Sequence, residues 1–361
     1  MLRSRTSVGF QGQSVIFMRL AVIFLFLIGA AALGIGLTLL SFNQFGAVTR
    51  EVAGRCAPVA GVAGPEDMAV DRARGLVFVS SLDRRDPEAR GAIHIFDPAD
   101  PLAAQGWRDM SNGAPEDFEP LGLDYYEEDG VRRLFVVNDA NDAVEIFDVA
   151  EDGALTHLDT VTERRLTSPN GVAAVGLDRF YVTNDLKAGR DSIVGSIQFL
   201  LRSREGEVLH FDGDDWRVAA SDLRFANGVA LSADGAGLFV AETAGKAIRV
   251  YERDPASGAL SESRRIVTPA FPDNLTVDGN GTLWAAGLPK PLTLPGHASR
   301  RERLAPSEVM RIDEAGPVTV YRDDGSELSA ASVAALVGEK LLIGAIFEEK
   351  FLLCDLPDAA F

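Results

Sequence analysis

From about residue 66 onward the chain repeats a unit of roughly 50 residues six times, and this period constrains the fold more than any other feature. Unit one contains Met68-Ala69-Val70, Leu76-Val77-Phe78-Val79 and Ile93-His94-Ile95-Phe96-Asp97. Unit two contains Gly122-Leu123-Asp124, Leu134-Phe135-Val136-Val137 and Val144-Glu145-Ile146-Phe147-Asp148. The other four units open near 170, 227, 274 and 333. Short β-rich runs separated by Asp-Gly and Gly-Asn turns, three or four to a unit, predict an all-β fold, a six-bladed β-propeller over residues 56–361. The segment 186–205 interrupts unit three, and within it Ser192 to Leu201 is expected to form an apolar helix, a lid over the channel mouth, a membrane-facing patch or an ordinary packed insertion.

A polar residue stands at the start of four of the inner strands. The stretches are Gly64-Pro65-Glu66-Asp67, Pro169-Asn170-Gly171, Phe225-Ala226-Asn227-Gly228 and Pro272-Asp273-Asn274. Asp and Asn are poor strand formers. Each one alone reads as a turn residue, because Asn-Gly is a common turn dipeptide. Turn chemistry does not ask for such a residue at the same end of four repeats. In a ring of blades Glu66, Asn170, Asn227, Asp273 and Asn274 converge on one channel. Five oxygen donors with two formal charges suit Ca²⁺, which takes six to eight oxygens, better than Mg²⁺ with its tighter octahedron. The four His (His94, His157, His210, His297) are scattered, and no zinc spacing occurs.

A net charge of −18 argues against nucleic acid as a partner. Leu20 to Phe42 is an uncharged apolar run of 23 residues, long enough to cross a bilayer and longer than a signal-peptide core. With Arg3, Arg5 and Arg19 before it, the positive-inside rule gives a cytoplasmic tail over 1–19, an anchor over 20–42, a linker over 43–55 and a propeller on the periplasmic or extracytoplasmic side. A cleaved signal peptide is the alternative. Two cysteines, Cys56 and Cys354, bracket the propeller; in an exported chain they read as a disulfide at the ring closure, against two unpaired buried thiols. No Gly-x-Ser-x-Gly elbow and no phosphate-binding loop is present.

Taken together, Glu66-Asp67, Pro169-Asn170, Val175-Gly176, Tyr181-Val182-Thr183-Asn184-Asp185, Phe225-Ala226-Asn227-Gly228, Asp273-Asn274 and Leu341-Leu342-Ile343-Gly344 give the chain its resemblance to the paraoxonase/arylesterase family of calcium-dependent six-bladed propeller hydrolases, over about residues 50–356. More distantly it is similar to gluconolactonases and strictosidine-synthase-like proteins. The resemblance implies a catalytic calcium on Glu66, Asn170, Asn227, Asp273 and Asn274, and a second, structural ion on Asp67 and the Leu123 carbonyl. Where the family has a further carboxylate after the amide, this chain has Gly171, and where the animal paraoxonases have a His dyad it has Leu121 and Asp139.

The activity implied is hydrolysis of a small-molecule ester or lactone. The metal would polarise the carbonyl, with Asp273 or Glu66 as base in place of the missing imidazoles. Leu121, Asp139, Phe225 and Leu288 are the expected pocket residues. Two other readings stand beside it, a non-catalytic calcium-binding propeller scaffold and a sugar-lactone hydrolase of gluconolactonase type.

Overall fold

The unbroken apolar runs form the second strand of each blade, and both faces of these strands are covered. In a strand alternate side chains point to opposite faces. Within Val131–Asn138, Val136 therefore packs with Phe78 and Ile93 of the preceding blade, while Phe135 and Val137 pack with Phe180 and Val182 of the next. The same division holds in Leu76–Ser81, where Phe78 faces blade two and Val77 and Val79 face blade six. Repeated round the molecule, it produces six apolar clusters, one between each pair of neighbouring blades. The core is thus a ring of interfaces, and the axis of the ring is left to polar residues.

The computed structural model describes residues 8–101, 107–190 and 192–356. Arg3 and Arg5 of the expected tail, and the last five residues of the expected propeller range, lie outside the described residues. Two units are present, one ending at Gly46 and one beginning at Ala47. The first is a helix, Val8–Ser41, whose segment Met18–Ser41 is long and apolar enough to cross a membrane.

The second unit is the propeller. Blade one has three strands, Met68–Asp71, Leu76–Ser81 and Ala92–Phe96. Blade two runs from the inner strand Pro120–Glu128 to Leu155–Thr162, with Ser111–Asn112 added parallel at its edge. Blades three and four have four strands each and open with Pro169–Ala174 and Ala226–Leu231. Blade five opens with Phe271–Val277 and ends with Gly316–Asp323, against which Glu51–Val52 pairs. Part of the expected linker 43–55 is therefore a strand.

Blade six comprises Ala331–Val337, Lys340–Ala345 and Lys350–Asp355, and its outermost strand, Arg55–Ala60, comes from the start of the propeller. Cys56 stands directly opposite Cys354 in this ladder, and the two form a disulfide. The helix expected within 186–205 is Ile193–Leu200, capped by the Ser192 hydroxyl, which accepts from the Gly195 N–H at 2.8 Å.

Candidate metal centre and active site

The polar residues at the inner strand starts do not sit in turns. In blades two to six the inner strand slips register against its neighbour, between Pro120 and Leu123, Pro169 and Val172, Ala226 and Val229, Pro272 and Leu275, and Ala331 and Val333. A bulge of this kind re-aims side chains and is favoured beside functional sites. It turns Asn170, Asn227, Asp273 and Asn274 out of the blade pleat. The glycine that follows Asn227 has a packing reason. A Cβ on Gly228 would stand 2.5 Å from the Asn274 Cα and 2.7 Å from both the Asp273 carbonyl and the Leu275 nitrogen. The Asn-Gly pair is thus the signature of inner strands touching at the axis. Gly228→Ala is expected to lower stability by about 1–3 kcal/mol through backbone overlap. Gly171→Ala, whose Cβ would meet its nearest neighbours at 3.1 Å, should cost less; thermal unfolding of the two variants checks the order.

Four of the five expected donors form a linked chain across the axis. Asn274 Nδ2 donates to Glu66 Oε1 at 2.9 Å and to the Glu66 carbonyl at 3.2 Å, joining blades five and one. Asn227 Nδ2 donates to Asp273 Oδ1, joining blades four and five, and to Thr243 Oγ1 at 3.1 Å. Asn170 enters from blade three, its Nδ2 donating to Asp185 Oδ2 at 3.3 Å. All five side chains are buried.

Every amide nitrogen in this set has an acceptor, but the oxygens are treated differently. Glu66 Oε2, Asn227 Oδ1 and Asn274 Oδ1 are buried and have no hydrogen-bond partner. Buried acceptors are rarely left this way, and each such group calls for an explanation. Burial raises the Glu66 carboxyl above its ordinary value, with Arg84 and the Asn274 amide pulling the other way. Burial, reinforced by the Glu66 charge, lifts Asp273 well above the usual carboxylate range. Two like-charged carboxyls thus share a dry site with several unsatisfied oxygens, an arrangement that favours a divalent cation. Among the described residues no cluster of three or more His, Cys, Asp or Glu is placed to hold a metal, which leaves the mixed carboxylate–amide set as the candidate.

Asp67 is arranged otherwise. Its Oδ1 accepts from the Met68 N–H at 2.9 Å and its Oδ2 from the Leu123 N–H at 2.7 Å, so both oxygens already bind main chain and tie blade one to blade two. The Leu123 group that meets Asp67 is the N–H, whereas the expected ligand was the carbonyl.

The expected pocket residues fall in different surroundings. Leu121 packs with Phe135 and Val137 in the cluster between blades two and three. Leu288 is buried against Ala305 and Ala330. Phe225 has a left-handed backbone with φ 64°, rare for an aromatic residue, and meets Phe199 of the Ile193–Leu200 helix edge-to-face at 5.2 Å. Asp139 is engaged by Arg190, which also donates from Nε to Asp185 at 2.7 Å and from Nη2 to the Pro169 carbonyl. Against the opposing effect of burial, Asp185 and Asp139 hold Arg190 above the ordinary arginine value.

Sequence reasoning missed Arg190 and Asp185, which brace Asn170, and Arg84, whose Nη2 donates to the Pro120 carbonyl at 2.9 Å. It also missed Thr183 and Thr243, whose hydroxyls donate to the carbonyls of Asn227 and Pro272, each at 2.6 Å. The two are not at equivalent places: Thr243 matches Asp185 in register, one bonding Asn227 and the other Asn170, whereas Thr183 lies within its strand.

The histidines lie apart from these residues. His94 bonds the Arg108 carbonyl, His157 bonds Glu145, His210 bonds Arg217, and His297 bonds the Arg303 carbonyl.

Comparison with known proteins bears on the family and the fold. The chain is 33% identical to serum paraoxonase/arylesterase 1 of Rattus norvegicus, covering 87% of this chain and 92% of the relative. It is 32% identical to serum paraoxonase/arylesterase 1 of Homo sapiens, covering 91% and 99%. Among solved structures a gluconolactonase from Xanthomonas campestris shares the fold with a TM-score of 0.56 at 20% identity, covering 86% of this chain and 94% of that one. A calcium-binding regucalcin from Agrobacterium tumefaciens superposes with a TM-score of 0.51 at 14% identity, covering 86% and 98%. The sequence model described as arylesterase matches residues 68–356, from the inner strand of blade one, Met68–Asp71, through Lys350–Asp355 of blade six, and this chain belongs to the arylesterase family.

Proposed function

We propose that the protein is a calcium-dependent hydrolase of carboxylic esters and lactones, acting at the polar end of the propeller channel. The observation that carries this reading is the set of buried, partnerless oxygens, Glu66 Oε2, Asn227 Oδ1 and Asn274 Oδ1, beside the paired carboxyls of Glu66 and Asp273. The residues present fit calcium: Glu66, Asn170, Asn227, Asp273 and Asn274 would hold it, and all their donors are hard oxygens. The activity follows the relatives, which are named paraoxonase/arylesterase and, at 30% identity, lactonase.

A calcium ion bound there supplies Lewis-acid polarisation of the substrate carbonyl. The remaining work falls to the chain's own groups. Asp273 is the general base. Its Oδ1 is engaged by the Asn227 amide, which fixes the carboxylate, and Oδ2 takes the proton of the attacking water. In the metal-free chain burial and the neighbouring Glu66 charge hold this carboxyl well above the usual carboxylate range, and a bound cation would act in the opposite sense, keeping it ionised and able to accept a proton. Asn170 and Asn227 hold their oxygens in place through Asp185 and Thr243, a fixed polar environment that needs no reorganisation during the reaction. Phe225, braced by Phe199, and Leu288 give the acyl or aryl part an apolar wall. Asp67 with Leu123 acts as a metal-independent tie between blades, which favours one ion over two.

The apolar segment of the N-terminal helix would anchor the propeller on the extracytoplasmic side, with Arg3 and Arg5 before the helix and Arg19 at the start of that segment. The disulfide Cys56–Cys354 fits such an oxidising compartment.

The test is calorimetric and kinetic together. Calcium added to chelator-treated protein should bind with a stoichiometry of one per chain, and hydrolysis of a phenyl ester and an aliphatic lactone should rise over the same concentration range. Hydrolysis that is indifferent to calcium, or calcium binding without hydrolysis of either substrate, overturns the reading.

A further inference from the structure

Two arginines reach the polar end of the channel, and they are bonded differently. Arg190 is saturated by Asp185, Asp139 and the Pro169 carbonyl. Arg84 has only main-chain partners. It lies in the loop after Leu76–Ser81, and its Nη1 and Nη2 donate to the carbonyls of Gly64 at 3.3 Å and Pro120 at 2.9 Å. Among the described residues no carboxylate lies within ion-pair distance of it, although Glu66, Asp139 and, less strongly, Glu119 exert their charge on it. Gly64, with φ 49°, admits this approach: a Cβ there would stand 3.1 Å from Nη1.

We propose that Arg84 is a specificity-determining residue that receives a carboxylate carried by the substrate, so that the preferred esters or lactones bear a second, anionic group. This rests on the hydrolase reading above. A guanidinium has five N–H donors in a planar fork suited to a carboxylate, and two of them are in use here. Its carbonyl partners fix its position between blades one and two but form no ion pair with it. Partial burial strengthens a charge-assisted bond made there. With a divalent ion in the cage Glu66 and Asp273 are balanced by that ion, and Asp139 and Asp185 are engaged by Arg190, so none of these is committed to Arg84. In a chain of net charge −18, an arginine bonded only to main-chain carbonyls beside the carboxylate cage is not part of a basic surface.

The experiment compares kcat/KM for a matched pair, the monoester of 4-nitrophenol with adipic acid and 4-nitrophenyl hexanoate, in protein with saturating calcium. The ratio of anionic to neutral substrate should fall about tenfold or more in Arg84→Gln and by less in Arg84→Lys, which keeps the charge but not the fork. In the unaltered protein the ratio should fall as salt rises from about 50 to 500 mM, so the test survives a misfolded variant. A ratio that stays within about twofold of the original in Arg84→Gln, or that ignores both salt and the lysine variant, overturns the proposal, whatever the absolute rates. If neither ester is turned over, the hydrolase reading has failed separately. Arg84 is then judged by binding: adipate should raise the melting temperature of the unaltered protein and not that of Arg84→Gln, and no shift in the former sinks the proposal.

Discussion

Asp273→Asn is expected to lower kcat/KM for ester hydrolysis by about 10²–10⁴, the contribution typical of a positioned general base. The substitution keeps the side-chain shape, and Asn can still accept from the Asn227 amide through its oxygen. What it removes is the proton acceptor and one of the two formal charges in the cage. Calcium affinity should therefore fall as well, because affinity in oxygen cages follows the number of charged ligands.

Stability gives an independent readout with the opposite sign. In the unaltered, metal-free protein burial lifts the carboxyls of Glu66 and Asp273 above their ordinary values. A carboxyl whose folded-state value is raised contributes stability below its unfolded-state value and loses it as pH rises through the folded one. Metal-free protein should accordingly weaken as pH rises from the acid range, and Asp273→Asn should weaken less, melting above the unaltered chain at neutral pH. Added calcium should reverse that order. A purely structural Asp273 would give a variant that melts lower under both conditions, and a loss of activity below tenfold would remove it as the base.

The second large effect is on the ring itself. Replacing Cys56 by Ser is expected to lower the melting temperature by roughly 10 °C or more. The bond closes a loop of 298 residues, and chain-entropy arithmetic assigns such a loop about 5–6 kcal/mol. For a domain of this size each kcal/mol shifts the midpoint by about 2–4 °C. Native-state packing should change little, because Arg55–Ala60 still pairs along Lys350–Asp355. The measurement is calorimetry of Cys56→Ser, Cys354→Ser and the double variant. All three should agree, since either change breaks the same bond. A drop below about 2 °C would mean that hydrogen bonding and the apolar cluster around Leu352 already hold the closure without it.

The propeller was legible in the sequence because its second strands bury both faces. That demand makes each of them an unbroken apolar run such as Leu134-Phe135-Val136-Val137, and a run repeated every 50 residues or so is hard to mistake. Glu66, Asn170, Asn227, Asp273 and Asn274 were legible for the same reason, as polar residues where the repeat asks for strand. Their local conformation was not. Asn-Gly reads as a turn, and only the contact between neighbouring inner strands, with Gly228 against the Asn274 Cα, explains the glycine as a bulge at the axis. Arg84 and Arg190 were illegible for a different reason. They sit beyond the ends of the repeating strands, where no period applies, and the partners that define them are tens of residues away: Arg190 meets Asp139 across 51 positions and Arg84 meets Pro120 across 36. The apolar helix Ile193–Leu200 was readable, but its contact with Phe225 was not, because it depends on the left-handed turn of that residue.

The outer strand of blade six has a temporal meaning. Arg55–Ala60 leaves the ribosome long before Lys350–Asp355, the strand it must lie against. Five blades can condense as they are made, yet the circle stays open until Lys350–Asp355 has been made. The thiol at 56 then waits for a partner made 298 positions later, and the disulfide with Cys354 can form only after every blade has been synthesised.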